Sequence, residues 1–301
     1  MSLIFVVGAT ATGKSATALD IAERTNGEIV NADSMQLYRG MDIGTAKLSV
    51  SERRGITHHL LDNLEVTEDS SVASYQSAAR GIIDSLLAEN KNVVVVGGTG
   101  LYVKAILDEL EFPATDPEVR AKIAAEAERL GATIMHERLG KLDPAAAAAI
   151  PQENVRRVVR ALEVIELTGK PFTAHLPKGG QSRYPFARQF GLVMDRENLR
   201  ERIDMRVEKM WSEGFVDEVR GLIPRGLREG KTARAALGYA QILSFLDGQI
   251  SEEEAKEETK RATRQYARRQ ETWFSRDERI TWLKPKPEMD LAAQILSSTI
   301  G

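Results

Sequence analysis

The chain, 301 residues long, contains no cysteine. That excludes disulfides, thiolate nucleophiles, iron–sulfur clusters and cysteine-based zinc sites, and it suits a reducing, cytoplasmic setting. Histidine is nearly as scarce, at four residues. The adjacent pair His58-His59 has few partners with which to hold a metal, so structural or hydrogen-bonding roles are expected of it. No apolar run approaches bilayer-spanning length and no secretory leader precedes the apolar run at Leu3, so no membrane partner is expected. Charge has no dominant sign either. With 41 Lys and Arg against 44 Asp and Glu, the formal net charge is -3, and nothing global announces a polyanionic ligand.

The most informative stretch present is Gly8-Ala9-Thr10-Ala11-Thr12-Gly13-Lys14-Ser15, directly after the apolar run Leu3–Val7. It fits G-x-x-x-x-G-K-[ST], a loop whose backbone N–H groups and lysine cradle the phosphates of a di- or triphosphate. A helix beginning near Lys14, with Ala18, Ile21 and Ala22 on its apolar face, completes the expected strand–loop–helix context. Glu28–Asn31 reads as a second strand, Ser74–Leu87 as a helix, and Val93–Val96 as a central strand buried on both faces. This βαβ pattern predicts an α/β fold, with a P-loop NTPase-like three-layer α/β/α core around a parallel sheet.

The texture changes after Phe112-Pro113. Asp116-Pro117-Glu118 reads as an N-cap, a first-turn proline and a first-turn acid, and the chain stays helical to Thr168-Gly169, with a further helix starting at Asp143-Pro144. The alanine run 145–149 is expected to be a tightly packed helix face. Gly179-Gly180-Gln181-Ser182 reads as an exposed loop, and Phe190–Met194 as a strand rejoining the sheet. The division expected is a core of residues 1–112 and 186–301, interrupted by an all-helical insertion domain, 113–185. Glu252–Arg276 reads as a long helix and Ile280–Leu283 as a short strand.

Lys14 would neutralise phosphate charge and the Ser15 hydroxyl would ligate Mg²⁺. A phosphoryl-transferring P-loop protein normally adds an Asp at the end of a neighbouring strand. Here Val93–Val96 ends in Gly97-Gly98-Thr99-Gly100, without an acid, which suits a diphosphate leaving group, although a metal-holding acid from elsewhere stays open. Asp33-Ser34 follows the second strand, where α/β folds place ligands; Asp33 is either a general base or the N-cap of a following short helix. Arg156 and Arg160 share a helix face, and Arg202 and Arg206 repeat the spacing. The basic, aromatic-interleaved run Lys260–Phe274 suits an RNA backbone, or is a solvated helix with Tyr266 and Trp273 in the core.

Several segments together resemble the tRNA dimethylallyltransferase (tRNA isopentenyltransferase) family, bacterial type, over nearly the whole chain. They are Gly8–Ser15, Asn31–Tyr38, Gly40–Lys47, His58–Asp62, Gly97–Tyr102, Arg160–Val164 and Thr263–Phe274. The resemblance implies transfer of a dimethylallyl group from dimethylallyl diphosphate to the exocyclic amine of the adenosine 3′ of the anticodon. The tRNAs would be those reading codons that begin with U. It implies Asp33 as the base, with Thr10, Lys14 and Arg206 as further catalytic residues, Gly8–Ser15 as the diphosphate site and Mg²⁺ on Ser15. For the tRNA anticodon stem-loop it implies contacts from Asp33, Ser34, Met35, Gln36, Thr99, Arg120, Arg156, Arg157, Val158, Val159 and Arg160. Further contacts come from Ala235, Ala236, Leu237, Gly238, Tyr239, Arg268, Arg269, Gln270 and Trp273. The helical insertion becomes the anticodon-stem grip, and the chain is expected to act as a monomer. Ala240 departs from the family pattern, in which a basic residue often follows Gly-Tyr, and the zinc finger of the eukaryotic relatives is absent. The residues leave three other readings open: prenylation of a free adenine nucleotide, a P-loop kinase of a small metabolite, or a non-catalytic RNA-binding module.

Overall fold

A computed structural model describes residues 1–175, 182–286 and 288–299. The expected loop at Gly179–Gln181 lies outside the described residues. The chain divides into two compact units, one of residues 1–106 with 184–301, the other of residues 107–183.

The first unit begins with β1 (Leu3–Gly8), α1 (Lys14–Thr25), β2 (Glu28–Asn31), β3 (His58–His59), α2 (Val72–Ala88), β4 (Val93–Gly97) and α3 (Gly100–Leu107). The second contains α4 (Pro117–Leu130), α5 (Ala132–Leu142), α6 (Pro144–Ala149) and α7 (Val155–Thr168). The first then resumes with β5 (Arg188–Leu192), α8 (Arg196–Ser212), α9 (Phe215–Leu222), α10 (Tyr239–Leu246), α11 (Glu252–Phe274), β6 (Ile280–Leu283) and α12 (Leu291–Ser297).

The six strands form one parallel sheet in the order β3-β2-β4-β1-β5-β6. Central strands of a parallel sheet are covered on both faces, which is why Leu3–Val7 and Val93–Val95 are continuous apolar runs rather than alternating ones, and all of them are buried. Ile4, Val6, Val94 and Phe190 pack with Ile21 and Ala22 of α1 and Ile295 of α12 on one face. The pairings Val7 with Gly97 and Asn31 with Val96 bring the carboxyl ends of β1, β2 and β4 together, the edge at which such sheets bind ligands. A separate core gathers Tyr38 and Met41 with Phe215, Val219 and Tyr239 of α9 and α10.

Two strands differ from expectation. β5 runs over Arg188–Leu192, not Phe190–Met194. The apolar run marks its buried part, but its span is set by pairing with β1, from Ile4 opposite Arg188 to Gly8 opposite Leu192, where β1 turns away. β3 is only His58-His59 and carries no sequence signal; it forms because β2 offers it an edge. Its histidines serve hydrogen bonds, His58 Nδ1 with the Ile56 carbonyl at 2.9 Å and His59 Nε2 with Glu28 Oε2 at 2.6 Å.

In the second unit, Asp116 caps α4 by accepting from the Glu118 and Val119 N–H groups. Asp143 caps α6 in the same way, accepting from Ala146 N–H. The alanine run is helical, but only Ala146 is buried and Ala147 half-buried, the remainder of that short helix being exposed. The core of this unit is Ile123, Met135, Leu139, Ile150, Val158 and Leu162. No helix of the described residues is long and apolar enough to cross a membrane.

Candidate functional site

The cradle follows from the backbone of residues 8–15. Gly8 (φ 133°), Ala11 (φ 64°) and Gly13 (φ 97°) all have positive φ, the backbone conformation from which anion-cradling loops are built. Only glycine serves at position 8, because a Cβ there would stand 2.6 Å from the Leu192 carbonyl oxygen of β5. Gly13 caps α1 without a side-chain acceptor, so the first amides of that helix are left for an anion. Lys14 folds back over the loop, its Nζ donating to the Ala9 carbonyl at 2.5 Å. Burial and then the Arg206 charge push its ammonium down to about 7, against the attraction of Asp33.

A cavity of about 860 Å³ opens on this cradle. Thr10, Lys14 and Ser15 line it together with Asp33 and Gln36, which follow β2. No helix follows Asp33; its Oδ1 accepts from Met35 N–H at 2.9 Å in a tight turn, and Asn31 holds the turn from both sides through the Asp33 N–H and carbonyl. Thr99 fixes the next residue, accepting from Ser34 N–H at 3.1 Å. From α8, Arg202, Arg206 and Met210 reach the cavity at helical spacing. Arg206 donates to the Thr10 hydroxyl at 3.1 Å, and burial lowers its guanidinium against the pull of Asp33.

From α11 come Tyr266 and Gln270, four residues apart. Gln270 is buried and joins two strand ends: its Oε1 accepts from Thr10 N–H at 2.9 Å and its Nε2 donates to the Gly98 carbonyl at 2.9 Å. This accounts for the glycines where a metal-holding acid might have stood. A Cβ on Gly97 would lie 2.2 Å from the Ala32 backbone, and one on Gly98 would lie 2.1 Å from Gln270 Nε2. Tyr266 lines the cavity and is not in the core; burial and Asp33 push its hydroxyl up to about 12. Arg269 stacks over its ring at 5.7 Å, while Arg268 and Trp273 are exposed.

The expected RNA contacts fall into distinct settings. Gln36 lines the cavity but its amide also donates to the Thr45 carbonyl at 3.1 Å. Met35 packs at the edge of the α9–α10 core. Ala235 is exposed and Leu237 half-buried, whereas Ala236, Gly238 and Tyr239 are buried, so the Tyr239 ring has no surface to offer a partner. Within the second unit, Arg120 of α4 and Arg156 and Arg160 of α7 line one groove with Ala124, Val155 and Val159. Arg157 is exposed, and Val158 is enclosed in the core. Arg120 and Arg160 are tied to the buried Glu163, each at 2.9 Å. Burial would raise that carboxyl, but the two arginines hold it low.

Asn31, Tyr266 and the cavity wall of Asp42, Ile43, Thr45, Ala46 and Lys47 lie in segments that carry the family resemblance but were not expected as site residues. The helical spacing from Tyr266 to Gln270 was a usable signal; the wall had none beyond the family segment that contains it. Among the described residues no group of three His, Cys, Asp or Glu is placed to hold a metal ion.

The sequence model of the IPP transferase family matches residues 36–277. The chain is 59% identical to the tRNA dimethylallyltransferase of Thermobifida fusca (strain YX), over 94% of this chain and 89% of that protein. It is 57% identical to the tRNA dimethylallyltransferase of Streptomyces griseus, over 93% and 89% of the two chains. Among solved structures it resembles the tRNA isopentenylpyrophosphate transferase of Bacillus halodurans, with a TM-score of 0.71, 39% identity and coverage of 99% and 94%. It also resembles a eukaryotic dimethylallyltransferase acting on tRNA, with a TM-score of 0.82, 26% identity and coverage of 98% and 77%. A glycine-rich cradle, a strand-end carboxylate in the same cavity and a sequence match across most of its length agree: the chain belongs to the IPP transferase family.

Proposed function

We propose that this protein transfers the dimethylallyl group of dimethylallyl diphosphate to the exocyclic amine of the adenosine 3′ of the anticodon, in tRNAs reading codons that begin with U. One observation carries this reading: the phosphate cradle and the Asp33 carboxylate line a single cavity, and the strand end beside them carries glycines instead of an acid. A cradle of that kind holds a diphosphate as the leaving group.

The bond that forms joins the amine nitrogen to the first carbon of the dimethylallyl group; the bond that breaks joins that carbon to the diphosphate oxygen. An adenine amine is a weak nucleophile because its lone pair is delocalised into the ring. Asp33 accepts its proton as the bond forms, help commonly worth ~10²–10⁴-fold. Negative charge grows on the departing diphosphate, where the amides of residues 8–15, Lys14 and Arg206 receive it. Thr10, held by Arg206 on its hydroxyl and by Gln270 on its N–H, stands at the junction of donor and acceptor. The base must leave the anticodon-loop stack to enter, at a cost of roughly a few kcal/mol.

Mg²⁺ fits the donor set. The exposed Ser15 hydroxyl at the start of α1 would hold it together with the diphosphate oxygens, hard ligands of the kind such an ion takes. When bound it would add charge neutralisation on the leaving diphosphate.

The arginine-lined groove of the second unit suits the phosphates of the anticodon stem, and Arg268, Arg269 and Trp273 the loop. Thr10, Lys14, Asp33 and Arg206 all belong to one protomer, so a monomer suffices, and the cytoplasm, where tRNA is abundant, is the setting.

The test is incubation with labelled dimethylallyl diphosphate, Mg²⁺ and either unmodified tRNA, AMP or ATP. Label is expected in tRNA and abolished when the adenosine 3′ of the anticodon is replaced. Label in AMP but never in tRNA would overturn the reading.

A further inference from the structure

One wall of the cavity is built by residues 42–47, and its anchor lies far away in sequence. Glu218, on α9, turns its carboxylate onto three successive backbone donors. Its Oε2 accepts from the N–H groups of Asp42 at 3.0 Å and Ile43 at 2.6 Å, and its Oε1 from that of Gly44 at 3.2 Å. The Tyr239 hydroxyl donates to the same Oε1 at 2.5 Å. Tyr239 is fully buried, and its ring stands edge-on to Phe215 with centroids 4.9 Å apart. Gly44 lies so close to both rings that a Cβ would be 2.3 Å from Phe215 and 2.6 Å from Tyr239. The turn is thus gripped by a carboxylate on its polar side and by two aromatic rings on the other.

From this grip the chain continues into the cavity lining. Lys47 is buried, its Nζ donating to the Tyr38 carbonyl at 2.8 Å, to Asp42 Oδ1 at 2.7 Å and to Asp62 Oδ1 at 2.6 Å. Gln36, beside Asp33 in the cavity, donates to the Thr45 carbonyl. A carboxylate that gathers three N–H groups forms charge-assisted bonds, the strong class, and orders a segment that short turns would otherwise leave mobile. Asp42 to Lys47 have no regular secondary structure of their own to define their path.

We propose that Glu218 is a positioning residue of the prenyl-transfer site: by gathering the Asp42, Ile43 and Gly44 N–H groups, with Tyr239 completing its acceptor set, it fixes residues 42–47 as the wall facing the diphosphate cradle. Glu218 touches no reacting atom and acts through that wall and through Gln36. The proposal rests on the tRNA prenyl-transfer reading for its kinetic consequence, but not for its structural one.

Glu218→Gln keeps the shape and replaces one acceptor oxygen with an amide donor, so two of the four donors face a group that cannot accept from them. Tyr239→Phe removes one donor only, and Glu218→Asp keeps both acceptors on a shorter stem. For each variant, hydrogen exchange across residues 40–48, calorimetric affinity for inorganic diphosphate with Mg²⁺, and steady-state kcat and KM are measured. Glu218→Gln is expected to speed exchange in that segment alone. It should also weaken diphosphate binding and raise the KM for dimethylallyl diphosphate by roughly tenfold, with kcat within about threefold, as the loss of bonds to a charged acceptor predicts. Tyr239→Phe should show a smaller effect of the same kind, and Glu218→Asp a partial recovery. Unchanged exchange at 40–48 in Glu218→Gln, or an activity loss confined to kcat with KM and diphosphate affinity unmoved, would overturn the proposal. Should the unsubstituted protein transfer no label to tRNA, the prenyl reading fails while exchange and diphosphate affinity still decide the role of Glu218.

Discussion

The guanidinium of Arg206, on α8, donates to the hydroxyl of Thr10, in the cradle, across 3.1 Å. The bond fixes a threonine in the cradle and sets a cation beside it in the same cavity, where the proposed reaction would develop charge on its leaving group. Arg206→Lys keeps the charge and loses the planar fork, and should lower kcat by ~10²-fold with tRNA affinity within about twofold. Thr10→Ala should cost less, and Thr10→Ser should recover most of it. Single-turnover rates with saturating tRNA decide this, and an unchanged rate in Arg206→Lys removes the role.

Asp33→Asn leaves an oxygen to accept from Met35 N–H, so the turn after β2 is retained while the proposed base is lost. Turnover should fall by at least ~10²-fold while tRNA still binds, its dissociation constant within about tenfold of the parent's. Activity within tenfold of the parent would mean that another group takes the proton.

With Lys14 pushed down to about 7, its protonation should be coupled to the binding of diphosphate in the cradle. Below that pH the ammonium is already charged; above it, binding an anion must draw a proton onto the lysine, so affinity falls as pH rises through 7. The same depression makes the ligand-free fold lose stability as pH falls from 10.5 towards 7, since the unfolded chain then binds the proton more tightly. Calorimetry at pH 8 in buffers of different ionisation enthalpy should show greater proton uptake on diphosphate binding for the parent than for Lys14→Met. Equal uptake would refute the coupling.

Gly98→Ala should displace the Gln270 amide, which a Cβ would approach to 2.1 Å, and free its two partners, the part-buried Thr10 N–H and the buried Gly98 carbonyl. A loss of about 1–3 kcal/mol of stability is expected, together with reduced turnover. In a double-mutant cycle with Gln270→Ala, read by denaturant unfolding, the two losses should be less than additive.

Arg157→Ala and Arg268→Ala, both at exposed positions, should weaken tRNA binding and lower the slope of log affinity against log salt by about one each, leaving kcat at saturating tRNA unchanged. An unaltered slope argues against phosphate contacts at these residues.

Local rules made much of this molecule legible. The cradle, α1, β2 and β4 depend on residues adjacent in sequence, and an apolar run flanked by glycines carries its own meaning. The caps Asp116 and Asp143 were equally readable, because each hydrogen bond closes within three residues. β3 was not, since a two-residue strand exists only against the edge that β2 provides. The Trp273 ring, which a periodic reading could place in the core with Tyr266, is exposed, while Tyr266 faces the cavity. Spacing along α11 says which residues share a face, not what that face meets.

By itself the sequence determined a glycine-rich phosphate loop between strand and helix, a carboxylate after the second strand, and a strand end without an acid. Tertiary structure decided why that strand end is glycine, through the approach of Ala32 and Gln270. It also brought Arg206 to Thr10 and Glu218 to the 42–44 turn, contacts spanning 196 and 174 to 176 residues. Such long-range bonds leave no local pattern, because what places the two partners is the packing of whole helices against the sheet and not the chain between them.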